Sequence, residues 1–151
     1  MIPATKRRRA WCTALLCANL LFIWGNSLLP ASVSGAFSSW VRDLLWFLPP
    51  PDPEAAAGDG LLRKMAHFLE FCLLGILLSW LFAMRLKEKW AFLLPAFGCS
   101  CLTACIDEIL QYFAPGRSPG VTDVIIDLSG AVLGMLLLSA GCFIHQKRKP
   151  I

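Results

Sequence analysis

Residues Val121–Ile144 read VTDVIIDLSGAVLGMLLLSAGCFI. Its charged residues, Asp123 and Asp127, sit in the first two turns, and the residues after them are apolar or small. At about 1.5 Å per residue the segment is long enough to cross a ~30 Å hydrocarbon core. An amphipathic helix of a soluble domain would instead carry a polar face along its whole length. The stretch reads as a transmembrane helix that is polar at one end only.

Three more stretches have the same character. Spans are expected at about 10–29, 61–84 and 90–113, with 121–144 the fourth. The bulk composition agrees: of 151 residues, 57% are hydrophobic and 16% charged, too few charges to solvate a soluble domain of this size. One membrane domain over 1–151 is expected, an all-α bundle of four transmembrane helices. Lys6, Arg7, Arg8 and Arg9 before the first apolar run raise a secretory signal peptide as an alternative. The run is long for a signal core, however, and its small residues Ser32–Ala36 lie beyond Pro30, so a retained helix is expected.

Between the first two spans, Val33, Phe37, Trp40, Val41, Leu44 and Leu48 recur at helical spacing, with Ser34, Ser38, Ser39, Arg42 and Asp43 largely opposite. That pattern predicts an amphipathic helix lying in the membrane interface, where Trp40 and Trp46 are at home. A helix that packs internally or binds a partner has the same pattern. Pro49, Pro50, Pro51 and Pro53 end it, and a loop reaches Gly60.

The net charge of +4 comes from short basic runs flanking apolar segments, which is how topology is encoded and not how nucleic acid is bound. Ten of the 14 Lys and Arg fall in the N-terminus, the 85–89 connection and the tail; only Arg42, Arg63, Lys64 and Arg117 fall elsewhere. The expectation is a multi-pass protein of the cell membrane with both termini cytoplasmic. The seven cysteines all lie inside apolar stretches, and no disulfide is expected.

Ionisable residues inside spans are costly, and they normally face protein or water. Lys64, His67 and Glu70 open the second span, Asp107, Glu108 and Gln111 close the third, and Asp123 and Asp127 open the fourth. With the third span running opposite to the other two, all three sets share the outer end of the bundle, Asp107 and Asp127 roughly 10 Å below the helix ends. One shallow polar pocket is expected there, open outward and roofed by the Pro115–Pro119 loop with Arg117. Gly130 and Gly134, one turn apart, allow another helix backbone to come close. If every acid were ionised, acids would outnumber bases, so a carboxyl holds its proton, a cation joins the group, or some face water.

His67, Glu70, Asp107 and Glu108 are the acid–base candidates if chemistry occurs. Lys64 and Arg117 suit a phosphate or carboxylate. One histidine among carboxylates is a weak metal signature, and no metal is expected from it. No nucleophile triad or phosphate loop is present. Two other readings use the same residues: polar glue that holds the helices together, and an ion or proton path in an oligomeric transporter.

The motif Lys64-x-x-His67-Phe68-x-Glu70-Phe71-x-x-Leu74-Gly75, then Asp107-Glu108-Ile109-x-Gln111-x-Phe113-x-Pro115-Gly116-Arg117, then Asp123-Val124-x-x-Asp127-x-x-Gly130-x-x-x-Gly134, resembles the VanZ-like family. The resemblance is close over 61–134. It extends loosely to the first span, where Asn26-Ser27 followed by Pro30 and Ser32 is similar to the family's polar helix end. It implies a small bacterial membrane protein of the cell envelope, whose name-giving relative lowers sensitivity to the glycopeptide teicoplanin. A polar or lipid-linked envelope component is the ligand class it suggests; it implies no particular reaction or cofactor. The chain departs from the family at Asp127, where asparagine is usual, which adds a potential charge to the pocket.

Overall fold

The computed structural model describes residues 5–44, 60–86, 88 and 90–147. All regular structure among them is helical: α1 (Lys6–Ser27), α2 (Ala31–Leu44), α3 (Gly60–Ala83), α4 (Leu93–Phe113) and α5 (Val121–Lys147). Four of these, α1, α3, α4 and α5 as far as Ile144, are long and apolar enough to cross a membrane. Each exceeds 20 residues, or about 30 Å at 1.5 Å per residue. The protein is a multi-pass membrane bundle.

The helix limits shift a little from the sequence expectation. α1 starts at Lys6, four residues early, because the Thr5 side chain accepts a hydrogen bond from the Arg8 amide and caps the helix. The third span starts at Leu93 instead of Trp90. Pro95 then falls in the first turn of α4, where its missing N–H has no intrahelical partner to lose.

The surface is inverted relative to a soluble protein. Leu21, Phe22, Leu94, Leu102, Leu136 and Leu137 are exposed along the spans, as a lipid environment requires. Phe71, Leu74, Leu77 and Leu78 of α3 form the core with Cys12, Leu16 and Ile23 of α1, Ala96 and Ala104 of α4, and Ala131 and Met135 of α5. All seven cysteines are free thiols.

Close approach of α3 and α5 is set by glycine. A Cβ on Gly130 would collide with the Phe68 carbonyl, one on Gly134 with the Cys72 carbonyl, and one on Gly75 with the Ala131 carbonyl. Stepping four residues on α5 thus steps four on α3 in the same direction, so the two run parallel with their backbones in contact. α1 runs opposite to α3, with Cys12 against Leu77 and Asn19 against Glu70. Arg9 of α1 donates to the Met84 carbonyl just past α3, which places the basic start of α1 beside Arg85. The other end of the bundle therefore gathers the end of α1, the start of α3, the end of α4 and the start of α5.

α2 leaves its apolar stripe, Val33, Phe37, Trp40 and Leu44, exposed and buries Ser38. Phe37 and Trp40 lie ring to ring at 6.0 Å. An exposed apolar stripe fits a helix lying in the interface and does not fit an internally packed one. Trp46, Leu48 and the proline-rich segment lie outside the described residues.

Candidate functional site

The four spanning helices bring their polar turns together at one end, around Asp107. This carboxylate, 0% exposed, sits on the buried face of α4. Ser27 Oγ, on the last residue of α1, donates to its Oδ1 at 2.5 Å, and Gln111 Nε2, one turn along α4, donates to its Oδ2 at 2.8 Å. His67 of α3 places Nδ1 3.6 Å from Asp107 Oδ2 and 3.6 Å from Asp127 Oδ1 of α5. Those separations are too long for hydrogen bonds. Asp127 is likewise 0% exposed, and both of its carboxylate oxygens are buried without a hydrogen-bond partner.

Glu70 lies one turn further along α3. Its Oε1 accepts from Asn26 Nδ2 of α1 at 3.2 Å, and its Oε2 is buried without a partner. Its backbone carbonyl accepts from Asn19 Nδ2 at 3.5 Å. Buried polar atoms cost about 1–3 kcal/mol each when unpaired, and Glu70 Oε2, both Asp127 oxygens and His67 Nδ1 are such atoms.

Arg117, though placed in the turn between α4 and α5, is only 8% exposed, because Nε donates to the Leu29 carbonyl at 2.9 Å and Nη2 to the Asn26 carbonyl at 2.8 Å. A guanidinium thereby caps the end of α1, where the negative end of the helix dipole favours a cation. Burial lowers its pKa from the ordinary guanidinium value, and nearby Arg63 pushes the same way; Asp107 and Glu70 oppose both. The group remains charged at neutral pH. A second tie fixes the loop, as the Ala31 amide donates to the Pro115 carbonyl at 3.0 Å. Gly116 turns the chain there with φ of 74°, a value that favours glycine.

The side chains of the adjacent acids Asp107 and Glu108 diverge to different partners. Successive helix positions point about 100° apart, so Asp107 enters the core while Glu108 turns to the loop. Glu108 Oε2 accepts from the Gly120 amide at 2.7 Å, just before α5. A carboxylate there satisfies an amide at the positive end of the helix. Asp123, in the first turn of α5, is partly buried, and Lys64 is exposed. Both line a crevice between α3 and α5 together with Arg63, His67, Ile126 and Asp127.

The structure thus joins His67, Glu70, Asp107, Gln111 and Asp127 in the buried cluster. Arg117 stands in the loop above it, Glu108 of α4 reaches that loop through the Gly120 amide, and Lys64 and Asp123 lie at its rim. Asn19, Asn26 and Ser27 of α1 touch the cluster too, though the sequence marks only Asn26 and Ser27, as a polar helix end. The signal for two of them was spacing: Asn19 and Ser27 fall on one buried stripe with Cys12, Leu16 and Ile23, and Asn26 stands partly buried beside it.

Beside the cluster, α1 and the start of α2 enclose an open groove of about 390 Å³, lined by Leu21, Phe22, Leu29, Val33 and Phe37 and, at its polar edge, Asn26. No curated protein and no solved structure matches the chain. A family model described as VanZ/LLP1 matches residues 12–144, from the middle of α1 to the end of the last span. That range takes in every residue of the cluster and of its roof, and the chain belongs to the VanZ/LLP1 family.

Proposed function

We propose that the polar end of the bundle faces out of a bacterial cell and binds an anionic, lipid-linked component of the envelope. Its hydrocarbon chain lies in the groove between α1 and α2, and its phosphate lies at the Arg117 side of the cluster. The groove carries this reading. It is apolar, borders lipid, and ends at Asn26, whose carbonyl holds Arg117 and whose carboxamide holds Glu70. Apolar wall and charged end are therefore continuous, as an amphiphile requires. Arg117 keeps one buried nitrogen, Nη1, without a partner, and Arg63 is close enough to repel it. Two neighbouring cations suit a phosphate. The outward orientation is supported by Lys6 to Arg9 and Arg85 lying at the opposite end.

The test is thermal unfolding of the purified full chain in non-ionic detergent with a polyprenyl phosphate, against the corresponding neutral alcohol. The phosphate is expected to stabilise the parent by several degrees and the alcohol hardly at all. Gly25 lines the groove with open space around its would-be Cβ, so Gly25→Leu fills the groove and should remove the effect without unfolding the protein. Equal stabilisation by both lipids, or an unchanged response in Gly25→Leu, contradicts the reading. The cross-helix hydrogen bonds of Ser27 and Asn26 also favour a second, structural role for the cluster, since they hold α1 to α3 and α4.

A further inference from the structure

We propose that His67, Asp107 and Asp127 form a binding site for a divalent metal ion. The three residues come from α3, α4 and α5, all are buried, and one ligand atom from each lies within 4.8 Å of the other two. His67 Nδ1 stands 3.6 Å from an oxygen of each aspartate. Two donors 3.6 Å apart, each about 2.0–2.2 Å from a common ion, subtend about 110–130° at it. That is near the tetrahedral angle, with room for a further ligand.

What the cluster lacks without an ion points the same way. Both oxygens of Asp127 and Nδ1 of His67 are buried and have no hydrogen-bond partner. A proton shared between His67 and one aspartate is poorly placed to fill the gap, since the atoms are too far apart to bond directly. A divalent cation contacts all three and balances the charge of two carboxylates. Asp107 is already oriented as a ligand, by Ser27 on one oxygen and Gln111 on the other. The crevice that ends on His67 and Asp127 has about 10 Å³ of free space, close to that of one water-sized sphere. Imidazole with carboxylates suits Mn²⁺, Fe²⁺ or Zn²⁺. None of the three ligand residues lines the lipid groove, so metal binding is measured independently of the lipid reading.

Mn²⁺ is the probe of choice, because it avoids the seven thiols that Zn²⁺ would find. The untagged full chain, stripped with chelator in non-ionic detergent, is titrated with Mn²⁺ and followed by electron paramagnetic resonance. One ion should bind per chain, with affinity falling by about 100-fold or more in Asp127→Asn and His67→Gln. A measurement that needs neither variant is the ¹⁴N coupling of bound Mn²⁺. The chain has two histidines, so in His145→Gln an imidazole coupling can come only from His67. Bound Mn²⁺ with that coupling establishes the site. No bound equivalent, or bound Mn²⁺ without imidazole nitrogen in His145→Gln, overturns it.

Discussion

Ser27 at the end of α1 donates its hydroxyl hydrogen to Asp107 in α4, 80 residues away in the chain and fully inside the bundle. The bond ties the first spanning helix to the centre of the polar cluster, and its loss is measurable. Ser27→Ala should lower unfolding stability in mixed micelles by about 1–3 kcal/mol, the cost of leaving a buried carboxylate oxygen unmet. A change under about 0.5 kcal/mol, the usual size at an unconstrained surface position, would show that this bond does not hold α1 in place.

Glycine placement makes a sharper prediction. Alanine at Gly75, Gly130 or Gly134 drives a methyl group into a carbonyl of the neighbouring helix. Each should destabilise by about 1–3 kcal/mol through forced separation of α3 and α5. Gly98 and Gly141 are helical with nothing near their would-be Cβ, so alanine there should be neutral or stabilise by up to about 1 kcal/mol. Equal effects at the two sets would contradict the packing.

Arg117 distinguishes a buried cap from a surface charge. Arg117→Ala uncovers two carbonyls near the end of α1 and should cost about 1–3 kcal/mol in stability. Arg117→Lys keeps the charge but not the fork that reaches both carbonyls, so an intermediate loss is expected. A stability within about 0.5 kcal/mol of the parent for both variants would place the side chain in water after all.

Much of this architecture is legible in the sequence, and the part that is not has a common cause. The spans follow from unbroken apolar runs, and the polar end follows from stripes such as Asp123–Asp127 and His67–Glu70; both signals are local. The close α3–α5 contact is written in Gly130 and Gly134. What the sequence hides is which atoms meet. Arg117 looks like a loop cation because its partners, the carbonyls of Asn26 and Leu29, are backbone atoms about 90 residues away. Asp107 and Glu108 look like an acid pair, yet helix geometry sends one inward and the other to the Gly120 amide. His67, Asp107 and Asp127 show no metal spacing because each comes from a different helix.

The central claim, a polar ligand site open to the outside, depends on which way the bundle sits in the membrane. Ser118 lies exposed in the loop above the cluster, and Glu88 lies exposed in the connection at the other end. Single cysteines at these positions, in a background with the seven native cysteines replaced, read the orientation directly with a membrane-impermeant thiol reagent. On intact cells Ser118→Cys is expected to label, and Glu88→Cys to label only after permeabilisation. Labelling of Glu88→Cys on intact cells, with Ser118→Cys protected, would turn the cluster toward the cytoplasm and contradict an outward-facing site.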